Sequence, residues 1–77
     1  MVKVWSKPSC VQCNATYRKL NENGLEYEVE DLSLPENEAQ LLAFKDAGLL
    51  QAPVVVPPVG EPWSGFRPDR IDELAML

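Results

Sequence analysis

The chain has 77 residues, 45% of them hydrophobic, with 12 acidic against 7 basic side chains, no His and a net charge of −5. So acidic a balance argues against nucleic acid, whose phosphates demand a basic face. No apolar run approaches membrane-spanning length. The length predicts one domain, residues 1–77, near the lower limit for a self-sufficient core.

Val2 and Val4 alternate with Lys3, and Trp5 follows, so the chain opens on a short strand that ends at Lys7-Pro8. Residues Met1 to Ser6 lack the apolar stretch of a signal peptide, which predicts a cytoplasmic setting. A helix is expected from Ser9 or Cys10, carrying Cys13, Ala15, Thr16, Tyr17 and Leu20 and stopping at Asn23-Gly24. Leu25, Tyr27 and Val29 then alternate with Glu26, Glu28 and Glu30, a period-two strand with its apolar side inward and its acids in solvent. Those acids also discourage edge-to-edge pairing.

Ser33 and Glu36 have capping-box spacing and open a second helix, with Pro35 tolerated in its first turn. Leu41, Leu42 and Phe44 are expected to face inward, and Gly48 ends the helix. Ala52-Pro53 precedes a β-branched strand, Val54 to Val56. A turn-rich connection from Pro57 to Pro62 leads to a short last strand at Trp63, broken by Ser64-Gly65. A third helix starts near Arg67-Pro68, with Ile71, Leu74 and Ala75 on its inner face. The order is β-α-β-α-β-β-α. It predicts an α/β fold with a four-stranded mixed sheet: a parallel β-α-β unit, then a hairpin, flanked by three helices.

The only two cysteines form Cys10-Val11-Gln12-Cys13 at the strand–helix junction. In a cytosolic β-α-β setting a CxxC pair reads as a dithiol/disulfide couple. A structural staple is the weaker reading, because a bond across one helical turn holds nothing distant together. Structural zinc needs four ligands, and this chain offers two cysteines and no His. Unsatisfied amides and the helix dipole favour negative charge at a helix start. Cys10 is therefore the expected exposed nucleophile, and Cys13, one turn in, the covered resolving thiol. Lys7 and Arg67 are candidate cations beside the thiolate; otherwise they are a solvated strand-end charge and a packing residue.

Three segments carry a resemblance: Lys7-Pro8-Ser9-Cys10-Val11-Gln12-Cys13, Gln51-Ala52-Pro53-Val54-Val55 and Trp63-Ser64-Gly65-Phe66-Arg67-Pro68-Asp69. Through them the chain resembles the thioredoxin superfamily over essentially its whole length, and most of all the NrdH-redoxins, small glutaredoxin-like proteins with thioredoxin-like activity. The resemblance implies a minimal glutaredoxin-like thioredoxin fold. It implies that Pro53 is cis and faces the CxxC, leaving the Ala52 backbone free to pair with an extended substrate segment. It extends the partner-binding surface over Lys7, Pro8, Val11, Gln12, Ser64, Gly65 and Arg67. Trp63 and Phe66 are added as an apolar docking surface; their alternative role is core packing, which is also expected of Trp5.

Glutathione-using glutaredoxins carry a Gly-Gly turn and an acidic pair near the last helix. Here Phe66 intrudes and Arg70 replaces the second acid. The resemblance therefore implies re-reduction by thioredoxin reductase and electron delivery to the large subunit of class Ib ribonucleotide reductase. No cofactor is expected beyond the Cys10–Cys13 disulfide, with NADPH entering only through the reductase. Three rivals stand beside this reading. They are a glutathione-dependent glutaredoxin, an iron–sulfur or metal-sharing module bridging two Cys10 thiolates, and a redox-switched interaction protein. A monomer is expected, since no long amphipathic seam is left over once the core is assigned.

Overall fold

Val2, Val4 and Ser6 of the first strand, β1 (Val2–Ser6), point one way and are buried, while Lys3 and Trp5 are half-buried on the other side. The computed structural model, which describes residues 1–77, follows β1 with α1 (Val11–Glu22), β2 (Tyr27–Asp31), a 3-10 turn (Pro35–Asn37) and α2 (Glu38–Asp46). β3 (Val54–Val56), β4 (Trp63–Ser64) and α3 (Pro68–Ala75) complete the order. The four strands form one mixed sheet in the order β2-β1-β3-β4. β1 and β2 run parallel, and β1–β3 and β3–β4 run antiparallel.

This register decides where the functional end lies. Trp5 pairs with Val54, and Val54 with Ser64. The C-terminal ends of β1 and β4 and the N-terminal end of β3 therefore share one edge of the sheet. Ser6 pairs with Asp31, so the exit of β2 lies there too. The turn into α1, the segment before Pro53 and the start of α3 all leave from that edge.

The core has two parts, one on each face. Leu20 of α1 and Ile71 of α3 cover Val2, Val4, Val55 and Trp63. On the other face Phe44 of α2 packs with Leu32 and Val54, and Trp5 meets Phe44 edge-on at 5.7 Å. α1 buries Cys13, Thr16 and Leu20, spaced three and four residues apart on one helical face. Thr16 is buried without penalty because its hydroxyl donates to the Gln12 carbonyl at 2.8 Å. No helix is long and apolar enough to cross a membrane.

Several expectations need correction. Ser9 is not helical; its φ is +55°, and α1 begins at Val11 with Cys10 as its cap. Strand β2 begins at Tyr27 rather than Leu25, and Val29 is 48% exposed instead of inward-facing. β2 is an edge strand, and α1 meets it at its start, where Tyr17 stacks on Tyr27, two residues short of Val29. Ser33 does not cap α2. Its N–H and hydroxyl both donate to the Asp31 carboxylate, at 2.8 and 2.6 Å, and the α-helix starts five residues later at Glu38. Leu42 is 53% exposed, since on this helix Leu41 and Phe44, three apart, take the inner face. Ala75, in the last turn of α3, is also exposed.

Candidate active site

Cys10 holds an extended conformation, φ −107° and ψ 107°, at the cap of α1. The first amides of a helix have no partners within it, and a side-chain acceptor at the cap normally satisfies one of them. Here the acceptor is sulfur: the Cys13 N–H donates to Cys10 Sγ at 3.1 Å. The left-handed turn at Ser9 directly before it lets β1 feed this cap. Cys10 and Cys13 are joined as a disulfide, with their Cα atoms 5.2 Å apart. Cys10 is 7% exposed and Cys13 1%. Cys13 is the more covered of the two, but Cys10, expected to be exposed, is itself buried in the oxidised protein. Val11, between the cysteines, is 80% exposed.

Two adjacent amides join the CxxC turn to the rest of the site. The Gly65 N–H donates to the Pro53 carbonyl at 2.8 Å, and the Phe66 N–H donates to Gln12 Oε1 at 2.9 Å. The peptide between Ala52 and Pro53 is cis. Gly65 has φ +80°, and a Cβ there would lie 2.8 Å from Gln51 Oε1 and 3.1 Å from Gln12 Oε1. Gln12, Gln51, Pro53, Gly65 and Phe66 thus meet in one cluster. Gln51 was not among the expected site residues, since nothing in its spacing aims it at Gly65.

Trp63 takes its alternative place, in the core. It is 4% exposed, sits in the core beside Val55 and Ile71, and has the Arg70 guanidinium 5.0 Å from its ring. Its Nε1 is buried without an acceptor. Phe66 is half-buried against the same core. Ser64 is half-buried at the end of β4.

Arg67 is committed elsewhere than to the sulfur. Its Nε and Nη2 donate to the two carboxylate oxygens of Asp69 at 3.2 and 3.0 Å. This fork holds the Asp69 carboxyl below the usual carboxylate range, chiefly through the hydrogen bond, and raises the Arg67 guanidinium. The lone acid at the start of α3 is therefore already paired.

Lys7 is exposed, as are Pro8 and Gln12. Lys7 lines a groove of about 230 Å³ together with Leu32, Leu41, Lys45, Leu50 and Ala52. Lys45 was not foreseen, because its place on this groove depends on how α2 packs. At the groove's edge the Asp31 carboxyl is held below its ordinary range, first by the Ser33 hydroxyl and then by the Ser33 amide. No group of three or more His, Cys, Asp or Glu side chains converges as a metal site would require.

The family model for glutaredoxins matches residues 2–57. The glutaredoxin-like protein NrdH of Salmonella typhimurium is 38% identical over 74 residues, covering 95% of this chain and 86% of that one. Its counterpart in Escherichia coli is 35% identical over the same shares. Among solved structures, the NrdH-redoxin of Escherichia coli, a glutaredoxin-like protein described for its thioredoxin-like activity profile, is 34% identical. It superposes with a TM-score of 0.80, covering 95% of this chain and 92% of that one. A glutaredoxin from Archaeoglobus fulgidus, 22% identical with a TM-score of 0.75, shares the fold.

Proposed function

The chain belongs to the glutaredoxin family, a thiol–disulfide oxidoreductase with a redox-active Cys10–Cys13 pair, and from that premise we propose that it carries electrons from thioredoxin reductase to class Ib ribonucleotide reductase. Cys10 is the attacking sulfur in this reading. Its thiolate displaces one sulfur of the substrate disulfide and forms a mixed disulfide. Cys13, losing its proton, then attacks Cys10 Sγ, closes the Cys10–Cys13 bond and releases the second substrate sulfur as a thiol. Two electrons pass to the substrate, and NADPH restores them through the reductase.

The observation that carries this assignment is the amide of Cys13 donating to Cys10 Sγ at the cap of α1. A thiolate accepts such a bond better than a thiol does, so the bond and the helix dipole favour ionised Cys10. Cys13, inside the first turn and 1% exposed, suits the role of the resolving sulfur. Val11, Pro8 and Lys7 form the exposed approach, and the Ala52 backbone pairs with the incoming segment. The setting we assign is the cytoplasm, and the working form a monomer.

Preference for thioredoxin reductase over glutathione finds support at the start of α3. Gripping a tripeptide there needs free carboxylates. Asp69 is occupied by Arg67, and the next position is Arg70. The deciding experiment is a pair of assays on one protein disulfide, one with NADPH and thioredoxin reductase, the other with glutathione and glutathione reductase. Turnover in the first and near-background rate in the second is expected; the reverse would make the protein a glutathione-dependent glutaredoxin. Cys10→Ser should abolish turnover. Cys13→Ser should leave a mixed disulfide that survives to mass spectrometry, and its absence would reverse the two roles.

A further inference from the structure

The groove beside the disulfide has a sign opposite to that of the chain around it. The protein carries −5 overall. Lys7 and Lys45 both line the groove and no carboxylate does; the Asp31 carboxylate at its edge already accepts from the Ser33 amide and hydroxyl. Lys3, Lys19 and Arg67 each have a carboxylate within 4.0 Å; Lys7 and Lys45 have none, as is true of Arg18 and Arg70 outside the groove. Aliphatic side chains line it with them, of which Leu50 is 73% exposed. Two unpaired cations flanking open aliphatic surface describe a receptor for a chain segment that is both acidic and apolar.

We infer that this groove docks an extended acidic segment of the substrate protein. An aliphatic side chain lies against Leu32, Leu41 and Leu50, and a carboxylate pairs with Lys7 and Lys45. The inference rests on disulfide reduction as proposed above and names the substrate sequence that this site selects. Ala52 both lines the groove and adjoins Pro53, whose carbonyl accepts from Gly65 beside the Gln12 clamp. A segment laid in the groove therefore runs towards the CxxC turn. A strand advances about 3.3 Å per residue, so acidic and aliphatic residues within a few positions of the substrate cysteine fall on it. The net charge of −5 disfavours such a segment over much of the surface, so the lysines steer as well as contact it.

The test uses three disulfide peptides, identical apart from Glu, Gln or Lys at the positions flanking a Leu beside the cystine. Reduced protein should favour the Glu peptide over the Gln peptide in kcat/KM by about fivefold at low salt, through KM, with the preference shrinking at high salt. Lys45→Glu should transfer the preference to the Lys peptide, and Lys7→Glu should do the same. A second measurement is independent of turnover: a cystine-free Glu–Leu peptide titrated into the oxidised protein should shift the backbone amides of Leu32, Lys45 and Leu50 in NMR spectra. Equal KM values for the three peptides, or a Glu preference unmoved by both charge reversals, would overturn the inference. So would oxidised glutathione reduced as well as the Glu peptide, which would make the groove a seat for a small thiol. Amide shifts that depend on protein concentration rather than on peptide would assign the groove to a second copy of the chain and overturn it as well. If none of the peptides is reduced while the amide shifts appear, the electron-carrier reading fails and the groove assignment stands.

Discussion

At Gly65 one hydrogen atom in place of a methyl holds the site together. Its φ of +80° lies where a Cβ is strained, and the added carbon would meet Gln51 Oε1 at 2.8 Å and Gln12 Oε1 at 3.1 Å. Both obstacles are the ends of flexible side chains, so Gly65→Ala is expected to fold. Gln51 can swing away without loss. Gln12 cannot, because moving it strands the Phe66 N–H. The backbone strain and the weakened bond together predict a cost of about 1–2 kcal/mol in urea unfolding. Gln12→Ala alone should cost about 1 kcal/mol. The double variant should fall short of the sum by roughly 0.5 kcal/mol or more, since the alanine at Gly65 has already disturbed the bond that Gln12 makes. Strict additivity would mean that the two side chains do not compete for one place. At this scale the sequence was most legible where chemistry dictates identity. Two cysteines three apart can bond only across a turn. Trp63, by contrast, could be read equally as a docking or a core residue, because the burial that decides it is created by Val55 and Ile71 from other parts of the chain.

Elements show the same division. α1 and α3 were legible from Pro68 and from the apolar spacing of Cys13, Thr16 and Leu20. The start of α2 was not, since the Asp31 carboxylate holds Ser33 through its amide and hydroxyl and a 3-10 turn intervenes before the helix. What fastens α1 to α3 was equally hidden. The Asn23 amide donates to Asp72 Oδ1 at 3.0 Å, and Lys19 Nζ lies 3.3 Å from the same oxygen. These contacts, the Asn23 bond first, hold the Asp72 carboxyl below its ordinary range. A carboxylate depressed in the folded state contributes stability that is fully present above its unfolded value of about 3.9 and disappears as the pH falls through the folded value. Asp72→Asn removes the charge and keeps an oxygen for Asn23. Its urea midpoint should therefore lie below the parent's at neutral pH. The two should converge as the pH falls through the lowered folded value of Asp72. A difference that persists undiminished in acid would assign the effect to packing rather than charge. Added salt at neutral pH should narrow the gap, because the pair is exposed.

The whole molecule is organised so that every junction carrying chemistry leaves from one edge of a four-stranded sheet. The element order was readable from hydrophobic periodicity. The strand order β2-β1-β3-β4 was not, because pairing partners are chosen by packing and not by local pattern. That order makes the position of α3 decisive for the site. α3 begins at the Phe66–Arg67 segment that Gln12 clamps, and it is held to the sheet by Ile71, wholly buried among Val2, Val4, Leu20, Val55 and Trp63. A chain of this size has roughly 4–12 kcal/mol of total stability. Ile71→Ala leaves a void against three strands and a helix that cannot collapse into it, at a cost of about 2–4 kcal/mol. It should therefore remove at least about a sixth of the stability, seen as a fall in the urea midpoint. Leu42→Ala, at an exposed site on α2, should shift the midpoint by no more than about 0.5 kcal/mol. Hydrogen exchange distinguishes a local from a global consequence. If α3 is part of the single cooperative unit, Ile71→Ala should speed exchange of the β1 and β3 amides as much as those of α3. Faster exchange confined to α3 would mean that the helix detaches alone, taking the Gly65–Phe66 clamp with it while the sheet and the Cys10–Cys13 cap persist.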